Sequence, residues 1–398
     1  MTLNIEVIDN ILHGFKVKYV ILDKLFSINP GERLGTKLKI DTVNVFINLE
    51  SLYNSFRNET IEKHLSKCDE DELKYICRQL IAGFINVGAH YRNYFNKNFI
   101  KSNIVYYYNE VPDTEDFQYY NSLYVKDYRA HFFESMHSLN KWGCNSIVQD
   151  AIPLFKIICM YLEDIFVVGT TNIESSCVPF VIDMNGYLPS NMNLFVTRDP
   201  YDFQYANHKG LIITKMDDDA ILVAKKNLMK YVRWKHKINE EKIINPLLYN
   251  FMLSCVGDRK RSIKGIKGFK WNAIYKELVK LYKVGYIFDE AEETMHIANL
   301  TAVFQDSGSF RLVKSKDIEE IIHRNWKAID LAHQLERMEK YFIFEIKNQL
   351  VNKYDPESLI NLNNHYFDES PIHLYELNQF AKKEKWQLKL EKELGREL

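Results

Sequence analysis

Over the first 240 residues, short apolar runs of strand length alternate with longer stretches of helical apolar spacing. TVNVFINLESLY (Thr42–Tyr53) is dense enough in apolar residues to predict a buried strand running into a turn. DELKYICRQLIAGFINVGAHYRNYF (Asp71–Phe95) predicts a helix with an acidic first turn. NIVYYYNE (Asn103–Glu110) predicts a second strand, its tyrosines serving as sheet core. An acidic, aromatic segment follows to about residue 140. IPLFKIICMYLEDIFVVG (Ile152–Gly169) has helical spacing, and NIESSCVPFVIDMNG (Asn172–Gly186) opens a further helix or turn. MNLFVTRDPYDFQY (Met192–Tyr205) predicts a third strand with acids at its end, and GLIITK (Gly210–Lys215) a fourth. Such strand–helix–strand alternation predicts an α/β fold with a largely parallel sheet, which places ligands beyond the carboxyl ends of the strands.

After residue 240 the strand signals fade and helical patterns take over, with VRWKHKINEEK (Val232–Lys242) as the boundary. The expected organisation is an N-terminal extension (1–40), an α/β domain (41–240), a smaller domain (241–300) and a helical C-terminal extension (301–398). The tail QFAKKEKWQLKLEKELGREL reads as a solvated helix of mixed charge.

Composition narrows the class. The chain has 398 residues, 46% hydrophobic and 26% charged, with a net charge of −1. No global field draws it to nucleic acid or to a membrane, so any basic surface is local. The six cysteines (Cys68, Cys77, Cys144, Cys159, Cys177, Cys255) form no C-x-x-C pair, which argues for reduced thiols and against a zinc ribbon. The opening MTLNIEVIDN lacks the apolar core of a signal peptide, and no run of 18 apolar residues exists. The expected location is cytoplasmic (a host cytoplasm if the chain is phage-encoded), without a membrane partner.

Candidate chemistry collects at the ends of the predicted strands. Asn48 and Glu50 follow the first, Asn109 and Glu110 the second, and Asp199 and Asp202 the third. Glu174 precedes a helix between the second and third. Asp258 opens GDRKRSIKGIKGFK, in which six of fourteen residues are Lys or Arg and three are Gly. Converging carboxylates suit a hard cation such as Mg²⁺ or Mn²⁺. Each acid taken singly is better explained as a cap or a turn residue, whereas the whole ordered set favours a functional origin.

The order of these elements resembles the flap-endonuclease, or 5′-nuclease, branch of the PIN-like superfamily, and is similar to the ribonuclease H-type 5′ nucleases of bacteriophages. TRDPYDFQ (Thr197–Gln204) stands at the family's Ser-Gly-Asp-x-Asp-x-x-Gln element. VGDRKRSIKGIKGFK (Val256–Lys270) stands at its Gly-Asp…Gly-Val-x-Gly-Ile-Gly element, the more specific match. The resemblance covers residues from about 42 to 290. It implies a PIN-like domain, then a helix–hairpin–helix domain whose glycine-rich turn grips duplex backbone, with Lys264, Gly265, Lys267, Gly268 and Lys270 as the grip. YVKDYRAHFFESMH (Tyr124–His137) matches the segment that clamps a 5′ end, which adds Lys126 and Arg129.

The chain departs from the family where acids are required. Asn48, Asn109, Ser176 and Cys177 stand at acid positions, and Arg261 replaces another acid. Glu174, Asp199, Asp202 and Asp258 remain as metal-ligand candidates. Two divalent cations ~4 Å apart repel by roughly 17 kcal/mol at an effective dielectric of ~20, so a ring short of acids holds two ions poorly. The expectation is one Mg²⁺ or Mn²⁺ at most, and no residue is assigned a catalytic role. The expected function is binding of duplex or branched DNA with low sequence specificity by a protein whose nuclease activity is impaired or lost. Two alternatives stand beside it. One is an active 5′ nuclease with relocated acids, Glu50 and Glu110 among them. The other is a structural subunit that binds a protein partner, for which the C-terminal extension is the candidate surface.

Overall fold

The computed structural model describes residues 3–28, 34–56, 59–110, 144–160, 162, 164–171, 173–216, 219–267, 269–283, 315–338 and 340–351. Its centre is a six-stranded sheet of β1 (Thr42–Asn48), β2 (Lys101–Asn109), β3 (Ile165–Thr170), β4 (Met192–Val196), β5 (Leu211–Met216) and β6 (Asp219–Val223). The spatial order is β3-β2-β1-β4-β5-β6. All neighbours are parallel except β5 and β6. The α/β fold with a largely parallel sheet is therefore as the alternation of elements predicted.

Two strands differ from the sequence reading. β3 lies inside the stretch read as helix: the helix Cys144–Met160, which contains Pro153, stops first, and Asp164 turns the chain with φ +60°. The β-branched Ile165, Val167 and Val168 then favour a strand. β6, missing from the reading, returns from β5 as a short antiparallel edge strand.

Strand periodicity divides the core in two. Val43, Val45 and Ile47 of β1 and Ile104, Tyr106 and Tyr108 of β2 face one cluster. It is covered by the helices Glu70–Lys97 and Cys144–Met160 and by the N-terminal helix Ile5–Leu12. Phe46, Val105 and Tyr107 face the other. There the helices Val178–Met184, Leu248–Val256, Trp271–Lys283, Ser315–Ile329 and Lys340–Val351 contribute the facing side chains. Residues 3–28 thus pack into the first cluster, and the elements after residue 240 into the second. The long helix Glu70–Lys97 starts on a capping box formed by Asp69 and Glu72, as its acidic first turn suggested.

The edge strand β3 is covered rather than left open. Gln349 of the last described helix accepts from the Gly169 N–H at 3.0 Å and donates to the Gly169 carbonyl at 2.9 Å, imitating a neighbouring strand. Among the described residues no helix is long and apolar enough to cross a membrane.

Candidate functional site

The carboxyl ends of β1, β2 and β4 meet on the second face of the sheet. Asn48 ends β1, and its Oδ1 caps the short helix Leu49–Tyr53 by accepting from the Ser51 N–H at 2.9 Å. That helix turns Glu50 back over β2, where Glu50 Oε1 accepts from the Asn109 backbone N–H at 3.0 Å and from Asn109 Nδ2 at 2.5 Å. Asn109 in turn accepts from the Ser175 N–H at 3.0 Å and donates to Ser175 Oγ at 2.7 Å, which fixes the segment carrying Glu174. Asp199 caps the tight turn Pro200–His208 through the Tyr201 N–H at 3.0 Å.

Opposite these ends lies a small hairpin, β7 (Gly257–Asp258) paired antiparallel with β8 (Ile263–Lys264). It sits between the helices Leu248–Val256 and Trp271–Lys283. Its tip sends two basic side chains into the carboxylates. Lys260 Nζ lies 2.6 Å from Glu50 Oε2 and 2.7 Å from Asp199 Oδ2. The Arg261 guanidinium is fully buried. It reaches Glu174 at 3.0 Å and Asp199 at 3.1 and 3.2 Å through both terminal nitrogens, and Asp258 at 2.7 Å. Its flat face stacks on the Tyr201 ring at 3.8 Å. Burial raises the Asp199 carboxyl, but the Arg261 and Lys260 charges outweigh it and hold that carboxyl well below the usual range.

The predicted metal-ligand set is thus split. Glu174, Asp199 and Asp258 come together around Arg261, joined by Glu50 through Lys260. Asp202 turns away from them. Its Oδ2 accepts from Asn48 Nδ2 at 2.7 Å, Tyr107 Oη at 2.9 Å and Thr197 Oγ1 at 2.6 Å, and its Oδ1 accepts from Ser176 Oγ at 2.6 Å. Glu110 also fails to join. One residue past Asn109, it lies on the opposite face, where it accepts from Tyr108 Oη at 2.8 Å and pairs with Lys156 at 3.4 Å. Cys177 donates to Gln334 Oε1 at 3.2 Å instead of entering the ring.

These residues do not fit a divalent ion. The space between the carboxylates holds nitrogen donors, at the distances of charge-assisted hydrogen bonds. Among the described residues no group of three or more His, Cys, Asp or Glu side chains is disposed to hold a metal. From the sequence, Arg261 reads as a lost acid that adds a nearby positive charge, and Lys260 carries no role. The signal that would have found them is the adjacent pair Lys260–Arg261 directly after Asp258, in register with a set of acids needing cations.

Burial and the neighbouring Asp199 charge push the Asp202 carboxyl up to about 6, against the pull of its Ser176 and Thr197 hydroxyl donors. Folding therefore favours its protonated form. That contribution is complete below the ordinary aspartate value of 3.8 and is lost as pH rises through about 6. Asp199 works in the opposite sense, its contribution being present above 3.8 and lost as pH falls through its depressed value. Urea denaturation from pH 4.5 to 7.5 should show the stability difference between wild type and Asp202→Asn falling by up to ~1.4 kcal/mol per pH unit, chiefly below pH ~6. Parallel profiles for the two proteins would refute this.

The hairpin's outer surface is basic. Arg259, Lys264, Lys267 and Lys270 are exposed. The Lys264 carbonyl accepts from Asn325 Nδ2 at 2.9 Å, which fixes the hairpin on the helix Ser315–Ile329. Gly265 has a packing reason to be glycine: a Cβ there would lie 2.0 Å from the Val256 carbonyl oxygen. Gly268, Lys126 and Arg129 of the predicted grip lie outside the described residues, as does the tail beyond Val351.

No family model and no curated protein matches the chain. Solved structures similar to it come from bacteriophage T5. A T5 protein co-crystallised with metal ions has 9% identity and a TM-score of 0.46 over 79% of this chain and 100% of its own. The T5 5′-exonuclease with bound zinc has 10% identity and a TM-score of 0.47 over 78% of this chain and 98% of its own. A T5 flap endonuclease in a pseudo-enzyme–product complex with DNA and metal ions has 9% identity and a TM-score of 0.43 over 86% of this chain and 100% of its own.

Proposed function

We propose that this chain binds duplex or branched DNA through the basic surface of its hairpin, in a 5′-nuclease-like fold that does not hydrolyse the DNA. The observation carrying this reading is the seating of Lys260 and Arg261 among Glu50, Glu174, Asp199 and Asp258. Phosphodiester cleavage of this class needs a cation that both polarises the phosphate and lowers the pKa of a water. An ammonium and a guanidinium supply charge but no site at which water ionises near neutral pH. Four carboxylates against two cations also leave this ring two net negative charges, which repel a scissile phosphate. The exposed Arg259 and Lys264 belong to the same hairpin, and the exposed Lys267 and Lys270 to the segment that follows it. There the phosphate backbone meets positive charge and no buried acid. The resemblance in sequence adds Lys126, Arg129 and Gly268, which lie outside the described residues, to the proposed DNA-binding set.

The test is fluorescence anisotropy with a labelled flap duplex in EDTA and again in Mg²⁺ at equal ionic strength. Binding of equal affinity in both conditions is expected, with little dependence on base sequence. Binding that requires the divalent ion would overturn the reading. Absence of binding in both conditions would leave a structural subunit as the remaining role.

A further inference from the structure

The two basic residues bridge the carboxylates in a particular pattern. Lys260 Nζ joins Glu50 to Asp199, at 2.6 and 2.7 Å. Arg261 joins Asp199 to Glu174 and to Asp258, at 3.1, 3.0 and 2.7 Å. Asp199 is shared by both cations, as a bridging carboxylate is shared by two ions. Buried carboxylates persist only when paired or coordinated. We infer that Lys260 and Arg261 are built-in replacements for divalent cations, so that deleting either side chain opens a divalent-cation site in the ring. The inference rests on this geometry and does not depend on DNA binding.

The two positions differ in what deletion would leave. Arg261 is completely buried, and its loss takes from Glu174, Asp199 and Asp258 the guanidinium they share. Lys260 keeps 26% of its side chain exposed. Its loss therefore opens a path from solvent to Glu50 and Asp199. A hard cation with oxygen ligands can enter by that path and retain waters on its outer side.

The probe is Mn²⁺ alone, read by thermal denaturation and by the electron paramagnetic resonance signal of free Mn²⁺. Wild type should melt at the same temperature in millimolar Mn²⁺ and in EDTA, and should leave the free-ion signal undiminished. Arg261→Ser and Lys260→Ser should each melt lower than wild type in EDTA, regain several degrees in Mn²⁺, and remove about one equivalent of ion from solution. Arg261→Lys, which keeps a cation in the ring, should show a smaller response to Mn²⁺ than Arg261→Ser. Should Arg261→Ser not fold in EDTA, its recovery on refolding in Mn²⁺ would support the inference, and Lys260→Ser supplies the folded comparison. An unresponsive Lys260→Ser, or a wild type stabilised by Mn²⁺ as much as the variants, would overturn it.

Discussion

Arg261→Ala should destabilise the protein by about 3–5 kcal/mol, because it removes one partner from a buried ionic cluster and leaves the carboxylates short of positive charge. Arg261 is fully buried, as are Glu174 and nearly all of Asp199. The substitution also removes the guanidinium from the Tyr201 face. The loss is expected in the urea midpoint with little change in slope, since the surface exposed on unfolding barely alters. Arg261→Lys should fall between wild type and Arg261→Ala: it keeps the charge but not the fork that reaches Asp199 and Asp258 through one nitrogen and Glu174 through the other. Lys260→Ala should cost less, because Lys260 is partly exposed and water can solvate the acids it leaves. An Arg261→Ala midpoint equal to that of wild type would mean that the guanidinium does not hold the ring.

The second large effect concerns the outer surface. Reversing Lys264, Lys267 and Lys270 to Glu should weaken DNA binding at any sequence. The slope of log K against log salt should fall by about 2.7, at ~0.9 for each lost phosphate contact. The three side chains are exposed, so the variant should stay within ~1.5 kcal/mol of wild-type stability, at ~0.5 kcal/mol for each substitution. Anisotropy titrations at several salt concentrations measure both quantities. A variant that binds like wild type would move the DNA surface away from the hairpin. The net charge of −1 sharpens this test, since no general field would mask the loss.

Much of this arrangement is legible in the sequence, for reasons that can be named. β1 and β2 are continuous apolar runs because both their faces are buried, and the two-residue period of a strand sends Asn48 and Asn109 to the same face as Phe46 and Tyr107. The same period explains the failure of Glu110, since one residue further along the strand is the other side of the sheet. Asp202 is absent from the ring because the 3₁₀ helix that starts on Asp199 carries it inward to Asn48, Tyr107, Thr197 and Ser176. β3 was hidden because an apolar strand following an apolar helix presents no change in composition. The cations in the ring were out of reach for a different reason. Lys260 meets Asp199 across 61 residues and Arg261 meets Glu174 across 87, and no local pattern encodes a hairpin tip folding onto strand ends. A replaced acid was visible at Arg261; that its charge fills the space between the remaining acids is a tertiary fact.

The ring carries two cations of its own, and the proposed loss of DNA cleavage rests on them. The most direct test of that loss is incubation of purified protein with a 5′-labelled flap duplex in Mn²⁺, followed by a denaturing gel. Asp199→Ala serves as the control for contaminating nuclease. Intact substrate is expected under conditions in which anisotropy shows it bound, for wild type and control alike. Cleavage by wild type that disappears in Asp199→Ala would contradict it.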